Sequence, residues 1–215
     1  MNRYASITTL FIDLDDTIYP ASSGVWGLIR QRIDRYMVER LQYPQEQVSL
    51  IRQNLFQTYG TTMRGLQATR AIDEADFLAY VHDVPVQDLL HPDDALREML
   101  LSYPQKKIIL TNADTQHALR VLRAVGLDNI FEQIVDIRAI APFCKPQSGA
   151  FSTALRLVGE TEVHHCVLID DSPKNLLAAT SLGFNPILVQ ESPVAQNPYP
   201  TITRLKDLPE ILSPD

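Results

Sequence analysis

A chain of 215 residues with 19 Lys and Arg against 26 Asp and Glu, a formal charge of −7, is long enough for one sizeable core with a modest insertion but short for two full-size domains. Its 45% hydrophobic residues and dispersed prolines and glycines exclude a disordered or fibrous chain, and the acidic balance disfavours a sequence-independent hold on nucleic acid polymers or anionic membranes. Two cysteines, Cys144 and Cys166, fit a reducing compartment; residues 1–6 lack the apolar core of a secretory signal and no stretch approaches the ~20 apolar residues of a bilayer span, so the cytoplasm is the expected location.

The first element is a short, apolar, β-branched strand, Thr8-Thr9-Leu10-Phe11-Ile12, which stops at Asp13-Leu14-Asp15-Asp16-Thr17 and so carries carboxylates at its C-terminal end. From Ser22 to about Leu90 the pattern is helical. One helix uses Val25, Trp26, Ile29, Ile33, Tyr36, Met37 and Leu41, and a second opens at Pro44 and stops at Gly60. A third starts near Asp73. After this block strand and helix alternate. Lys106–Leu110 precedes a helix ending at Gly126, and Gln133–Val135 precedes a helix from Ser148 to Val158. Cys166–Ile169 precedes a helix ending at Gly183, and Pro186–Val189 follows. The expected architecture is α/β: a Rossmann-like, doubly wound parallel sheet formed by residues 1–17 and 91–215, with a helical cap of residues 18–90 inserted after the first strand. Residues after Ser192 are Pro-rich, and Ile202 to Leu212 reads as a packing tail.

Open α/β sheets gather functional groups at the carboxyl ends of their strands. The first strand delivers Asp13, Asp15 and Thr17, the next delivers Thr111 and Asn112, and the one at 166–169 delivers Asp170 and Asp171; Lys145 arrives from a loop. Alternation puts Asp13 and Asp15 on one side, where two carboxylates repel unless a cation or a proton is shared. Mg²⁺ answers that repulsion, since it takes oxygen ligands and commonly joins carboxylates to a substrate phosphate. One aspartate can then attack phosphorus while a second protonates the leaving alcohol and later activates water, with Lys145 and the Thr111 hydroxyl on the phosphoryl oxygens. Taken singly, each element has a plainer reading: Asp170-Asp171 as a helix N-cap, Lys145 as a solvated lysine, Thr111-Asn112 as a turn. Their conjunction, in fixed order and mostly at strand ends, favours the chemistry.

These residues resemble the haloacid dehalogenase superfamily of aspartyl-phosphate hydrolases, whose four motifs are matched by Asp13-Leu-Asp15-Asp-Thr17, Thr111, Lys145-Pro146 and Ile169-Asp170-Asp171-Ser172. The resemblance implies Asp13 as nucleophile and Asp15 as general acid/base with its main-chain carbonyl on Mg²⁺. It implies Thr111, Asn112 and Lys145 as phosphate-binding residues, and Asp13, Asp15, Asp170 and Asp171 as the metal site. An acid two residues past the nucleophile suits an alcohol leaving group, hence a phosphatase. Asn175 stands where the family carries an acid. A closer likeness, in Leu14–Pro20, Ser22–Gly24, Tyr59-Gly60-Thr61-Thr62, Tyr80-Val81-His82 and Thr111-Asn112-Ala113-Asp114, is to the pyrimidine 5′-nucleotidase subfamily. It implies UMP or CMP as substrate, with Tyr59, Thr61, Thr62 and His82 as specificity candidates. The rivals are a sugar-phosphate or phosphoglycolate phosphatase, a phosphomutase, and a non-catalytic binding protein. Plainer roles stand beside these: a C-cap and N-cap for Tyr59-Gly60-Thr61-Thr62, a packed or surface side chain for His82, a surface turn for His164-His165. Cys166 reads as a small buried apolar residue and Trp26 as a packing residue. Lys145 would lower the pKa of a neighbouring Cys144, but no nucleophile-base arrangement accompanies it.

Overall fold

A computed structural model describes residues 6–192 and 197–213; the N-terminal residues and part of the Pro-rich stretch discussed above lie outside them. Six parallel strands run in the order β3-β2-β1-β4-β5-β6: β1 (Thr9–Ile12), β2 (Lys106–Leu110), β3 (Gln133–Val135), β4 (Cys166–Asp170), β5 (Asn185–Val189) and β6 (Thr201–Ile202). The central strand β1 reads as a continuous apolar run because both its faces are covered. Leu10 and Ile12 point into one core layer with Ile109, Val167 and Ile169, and Phe11 points into the other with Ile108, Leu110 and Leu168. The first layer is closed by α6 (Asp94–Ser102) and α7 (Thr115–Ala124), the second by α8 (Ser148–Val158) and α9 (Pro173–Thr180), so the sheet is doubly wound.

Four helices, α1 (Val25–Glu39), α2 (Val48–Tyr59), α3 (Thr62–Thr69) and α4 (Glu74–Val81), pack on one another in the insert that follows β1. The return passes through the single turn α5 (Val86–Leu89), which lies against α7. The second helix does not open at Pro44: residues 44–47 form a turn closed by the Gln47 N–H on the Pro44 carbonyl (3.0 Å), and the helix begins at Val48. The tail is more than packing. Thr201 and Ile202 add an edge strand to β5, and a 3₁₀ turn, Leu205–Glu210, buries Leu205 and Leu208.

Register brings the acids together. Ile12 is level with Ile169 on one side and Ile109 on the other, and the Asp13 N–H continues the ladder onto the Ile169 carbonyl (2.9 Å). Asp13 and Asp170 therefore leave adjacent strands side by side. In the order 3-2-1-4-5 the chain reverses its direction of travel between β1 and β4, and the crevice at that point is where such sheets bind ligands.

Candidate active site

At that crevice the Lys145 ammonium, buried and only 1% exposed, lies 2.7 Å from Asp13 Oδ1 and 2.8 Å from Asp170 Oδ2. Burial alone would strip the proton from a lysine, yet the two carboxylates hold its pKa above the ordinary value. Its position is set through the main chain: the Asn112 side chain accepts from the Lys145 N–H (2.9 Å) and donates to the Lys145 carbonyl (3.0 Å). Asn112 thus lines the cleft with the oxygen and the nitrogen of its amide both tied to the lysine loop. The buried Thr111 faces the same cleft, its hydroxyl oxygen accepting from the Ala113 N–H (2.9 Å).

Asp170 is fully buried, and its oxygens also accept from the Ser172 N–H (2.9 Å) and the Asn175 amide (2.8 and 3.1 Å). The residue that departs from the family pattern is therefore a donor that orients Asp170, which an acid could do only when protonated. Ser172, one residue past the acid pair, is the N-cap of α9. Ligand oxygens of Asp13, Asp170 and Asp171 all lie within 4.8 Å of one another. With one ammonium among three carboxylates, negative charge is left over. Burial raises the Asp13 pKa well above its ordinary value, with Lys145 opposing and Asp170 and Asp171 adding to the rise; Asp171 is pushed up to about 7 by burial and then by Asp170. A compact, all-oxygen donor set with surplus negative charge fits a hard divalent cation such as Mg²⁺.

Asp15 faces the same cleft in a different environment. Its Oδ1 accepts from the Tyr19 hydroxyl and lies 2.8 Å from His117 Nε2. Burial raises its pKa, but His117 and Tyr19 outweigh that and leave it below the ordinary value. Neither His117 nor Tyr19 stood among the expected site residues. Their signals were faint: a histidine in the first turn of the helix after Thr111-Asn112, and a tyrosine four residues past Asp15.

Residues 7–183 match the haloacid dehalogenase-like hydrolase family. The chain belongs to that family. This hydrolase is 28% identical over 192 residues to Phosphate metabolism protein 8 of Saccharomyces cerevisiae, covering 83% of the chain and 60% of that protein, so it spans about three-fifths of the length of its curated relative. Its fold is shared with the HAD-hydrolase YfnB of Bacillus subtilis bound to magnesium (TM-score 0.62, 18% identity, 95% of this chain and 98% of that one). It is likewise shared with CbbY of Rhodobacter sphaeroides in complex with phosphate (0.64, 17%, 94% and 96%). An L-2-haloacid dehalogenase of Xanthobacter autotrophicus with chloropropionic acid covalently bound has it too (0.60, 16%, 95% and 97%).

In this hydrolase the cleft is about 560 Å³ and runs from the acids to the inserted helices, where Trp26, Phe56, Tyr59, Met63 and Phe77 give it apolar walls. Trp26, expected to pack, is part-buried and does both. Gly60 caps α2 with φ +87° and Thr61 caps α3, its hydroxyl accepting from the Arg64 N–H (3.1 Å). Tyr59, Thr61 and Thr62 all line the cleft, so the capping reading and the lining reading hold together. Across the cleft wall the Tyr59 carbonyl accepts from Cys144 Sγ (3.2 Å), while Arg64 donates to the carbonyls of Ile137 (2.7 Å) and Phe143 (3.3 Å). Cys144 is buried and its thiol is pushed up by that burial, the reverse of the direction expected from its neighbour Lys145.

His82 is buried at the C-cap of α4, not on an open helix face, and its ring stacks on that of His117 (4.5 Å between centroids, 16° between planes). Its Nδ1 is 3.3 Å from Asp114 Oδ1 without hydrogen-bond geometry, and burial lowers its pKa against the pull of Asp114. His164 and His165 lie in a 3₁₀ turn before β4, with His164 beside Glu162 (3.6 Å) and not in a metal cluster. Cys166 is buried in β4. Among the described residues no helix is long and apolar enough to cross a membrane.

Proposed function

We propose that this hydrolase is a Mg²⁺-dependent phosphomonoesterase working through an aspartyl phosphate, with residues 18–90 as its cap and residues 1–17 and 91–215 as its catalytic core. The observation that carries the reading is the placing of two carboxylates, Asp13 and Asp15, on one cleft: Asp13 in contact with Lys145 and grouped with Asp170 and Asp171, where a cation would hold it ionised for attack, and Asp15 outside that cluster with one oxygen held by Tyr19 and His117. Asp13 Oδ attacks phosphorus as the ester P–O bond breaks, and Asp15 gives its proton to the departing alkoxide. Asp15 then removes a proton from the water that attacks the phosphoryl group, releasing phosphate and restoring the Asp13 carboxylate. Lys145 and Thr111 stabilise the phosphoryl oxygens, and the N–H of Asn112 adds a third donor. Asp13, Asp171, Asp170 and the Asp15 carbonyl are the residues to hold Mg²⁺, which when bound would offset the surplus charge and orient the phosphoryl group. A haloacid dehalogenase needs no proton on a departing halide, so an acid two residues past Asp13 and facing the same cleft favours an oxygen leaving group.

The cap side of the cleft supports a substrate with a flat, polar-edged group beyond its phosphate. With the resemblance above, this points to a pyrimidine nucleoside 5′-monophosphate, UMP or CMP, met by the aromatic face of Tyr59 and by Thr61 and Thr62. Two unpaired, buried cysteines suit work in a reducing cytoplasm. Phosphate release measured with Mg²⁺ across nucleotides, hexose phosphates and phosphoglycolate tests both levels. Faster turnover of UMP and CMP than of AMP and GMP is expected; preference for phosphoglycolate or a purine nucleotide removes the nucleotide assignment alone. Isomerisation of a hexose phosphate without free phosphate favours a mutase, and no turnover of any ester leaves a binding protein. Asp13→Asn should abolish turnover while keeping the fold, checked by circular dichroism; more than a few per cent of residual activity would falsify its role as nucleophile.

A further inference from the structure

A carboxylic acid that must hand a proton to one oxygen in space has to have its own free oxygen aimed there, yet an aspartate carboxylate turns over a broad torsional well. In Asp15 the turn is stopped. The Tyr19 hydroxyl and His117 Nε2 (2.8 Å) both engage Oδ1, and Oδ2 has no hydrogen-bond partner among the described residues. Both partners are packed into the interior: Tyr19 is buried at 3% exposure and His117 at 0%. The His117 main chain is tied by its N–H to Asp114 Oδ1 (2.9 Å), and its ring lies flat on His82 at 4.5 Å. His82 is held in turn by its carbonyl, which accepts from Arg120. The three side chains come from different places. Tyr19 is on the linker that leaves the core for α1, His82 is on the linker that returns from α4, and His117 is in the first turn of α7.

We propose that Tyr19 and His117 are positioning residues for the acid Asp15, and that His82 holds the His117 ring so that the aim of Asp15 Oδ2 is set jointly by both cap linkers. The inference rests on the phosphatase reading. Neither residue touches the reacting atoms; each acts by fixing the oxygen that carries the mobile proton. The cost of losing them therefore scales with how much the leaving group needs that proton. Removing a metal ligand or loosening the fold would instead slow every substrate alike.

The test compares kcat/KM for p-nitrophenyl phosphate, whose leaving group departs unaided, with that for an alkyl phosphate monoester the enzyme turns over. The variants are Tyr19→Phe, His117→Phe, which keeps a ring for His82 to stack on, and His117→Gln, whose amide nitrogen reaches the place of Nε2. His117→Phe should cut alkyl ester turnover ~100-fold and nitrophenyl ester turnover less than ~5-fold, and Tyr19→Phe should show the same sense at ~10-fold against ~2-fold. His117→Gln should recover most of the alkyl ester rate. Mg²⁺ affinity by calorimetry should match the parent in all three. Equal losses on the two esters, an unimpaired His117→Phe, or a Gln variant as poor as Phe overturns the positioning role while leaving the phosphatase reading intact. Failure of the parent enzyme with Mg²⁺ to cleave either ester removes that reading and the inference with it. If His117→Phe does not fold, Tyr19→Phe, which deletes one oxygen, decides the matter by the same ratio.

Discussion

Lys145 is a fully buried ammonium between two carboxylates, which makes it a structural keystone beside the phosphate-binding role proposed for it. Removing one member of a buried ionic cluster leaves the others uncompensated and typically costs about 3–5 kcal/mol. Lys145→Met should therefore lose that much in urea unfolding at pH 7 in EDTA. Without the ammonium, Asp13 loses the interaction that opposes the rise of its pKa by burial and the neighbouring acids, so the variant's native state is favoured below the unfolded pKa near 4 and loses ground as pH rises. The deficit should shrink at pH 5; an unchanged urea midpoint at pH 7 refutes the cluster's structural role. At this scale the sequence displayed Asp13, Asp15, Lys145, Asp170 and Asp171, because their chemistry makes sense only together and strand ends announce them. It did not display Tyr19, His117 or the orienting role of Asn175. A hydrogen bond between residues 102 positions apart, such as His117 to Asp15, is created by register and not by local pattern.

The elements divide the same way. Long apolar runs and periodic stretches were legible, and β1, β2, β4, β5, α1 and α8 fall where patterning puts them. The two-residue β6 and the eight-residue α3 were not: two residues carry no period, and α3 follows α2 with only Gly60 and Thr61 between them, so a turn and not a change of pattern sets it apart. Gly60 shows what such a neighbour requires. Its φ of +87° suits glycine alone, and a Cβ there would meet Cys144 Sγ at 2.7 Å and the Lys145 carbonyl at 3.2 Å. Gly60→Ala therefore forces the α2–α3 turn away from the loop that carries Lys145. It should cost about 1–3 kcal/mol and lower kcat/KM on every phosphomonoester alike, in contrast to the leaving-group split expected at His117. Urea midpoints and turnover on two esters check this; a fully active, fully stable alanine variant means the turn is free to move. Helix starts add smaller increments. Asp73, Asp93 and Asp114 accept from the first-turn N–H groups of α4, α6 and α7, so alanine at any one should cost about 1 kcal/mol.

At the scale of the molecule, the alternation of strand and helix made the doubly wound class legible, while the way the inserted helices and the sheet share one cleft depends on contacts no periodicity encodes. The surplus charge in that cleft has a global consequence. Asp13 is held above its ordinary pKa, and Asp171 is raised to about 7. Groups raised in this way favour the folded state fully below their unfolded pKa near 4 and cease to do so as pH climbs through the folded value, so the metal-free protein is handicapped progressively from about pH 4 to pH 7. A divalent cation held by the ionised acids, as proposed, would remove the handicap, with an affinity that rises with pH because the ligands must lose their protons. Mg²⁺ at about 100 times its Kd contributes about 2.7 kcal/mol, which for a chain of this length raises Tm by about 5–10 °C. The expected result is a Mg²⁺-induced rise in Tm that is small at pH 5, grows through pH 7 and is largest at pH 8. It should be absent at every pH in Asp171→Ala, and Ca²⁺ should match the thermal shift better than it restores turnover, because looser coordination stabilises the acids without aligning the nucleophile. Differential scanning fluorimetry with EDTA, Mg²⁺ and Ca²⁺ reads all of this. A Mg²⁺ shift of equal size at pH 5 and pH 8, or one that survives in Asp171→Ala, places the cation elsewhere than among Asp13, Asp170 and Asp171.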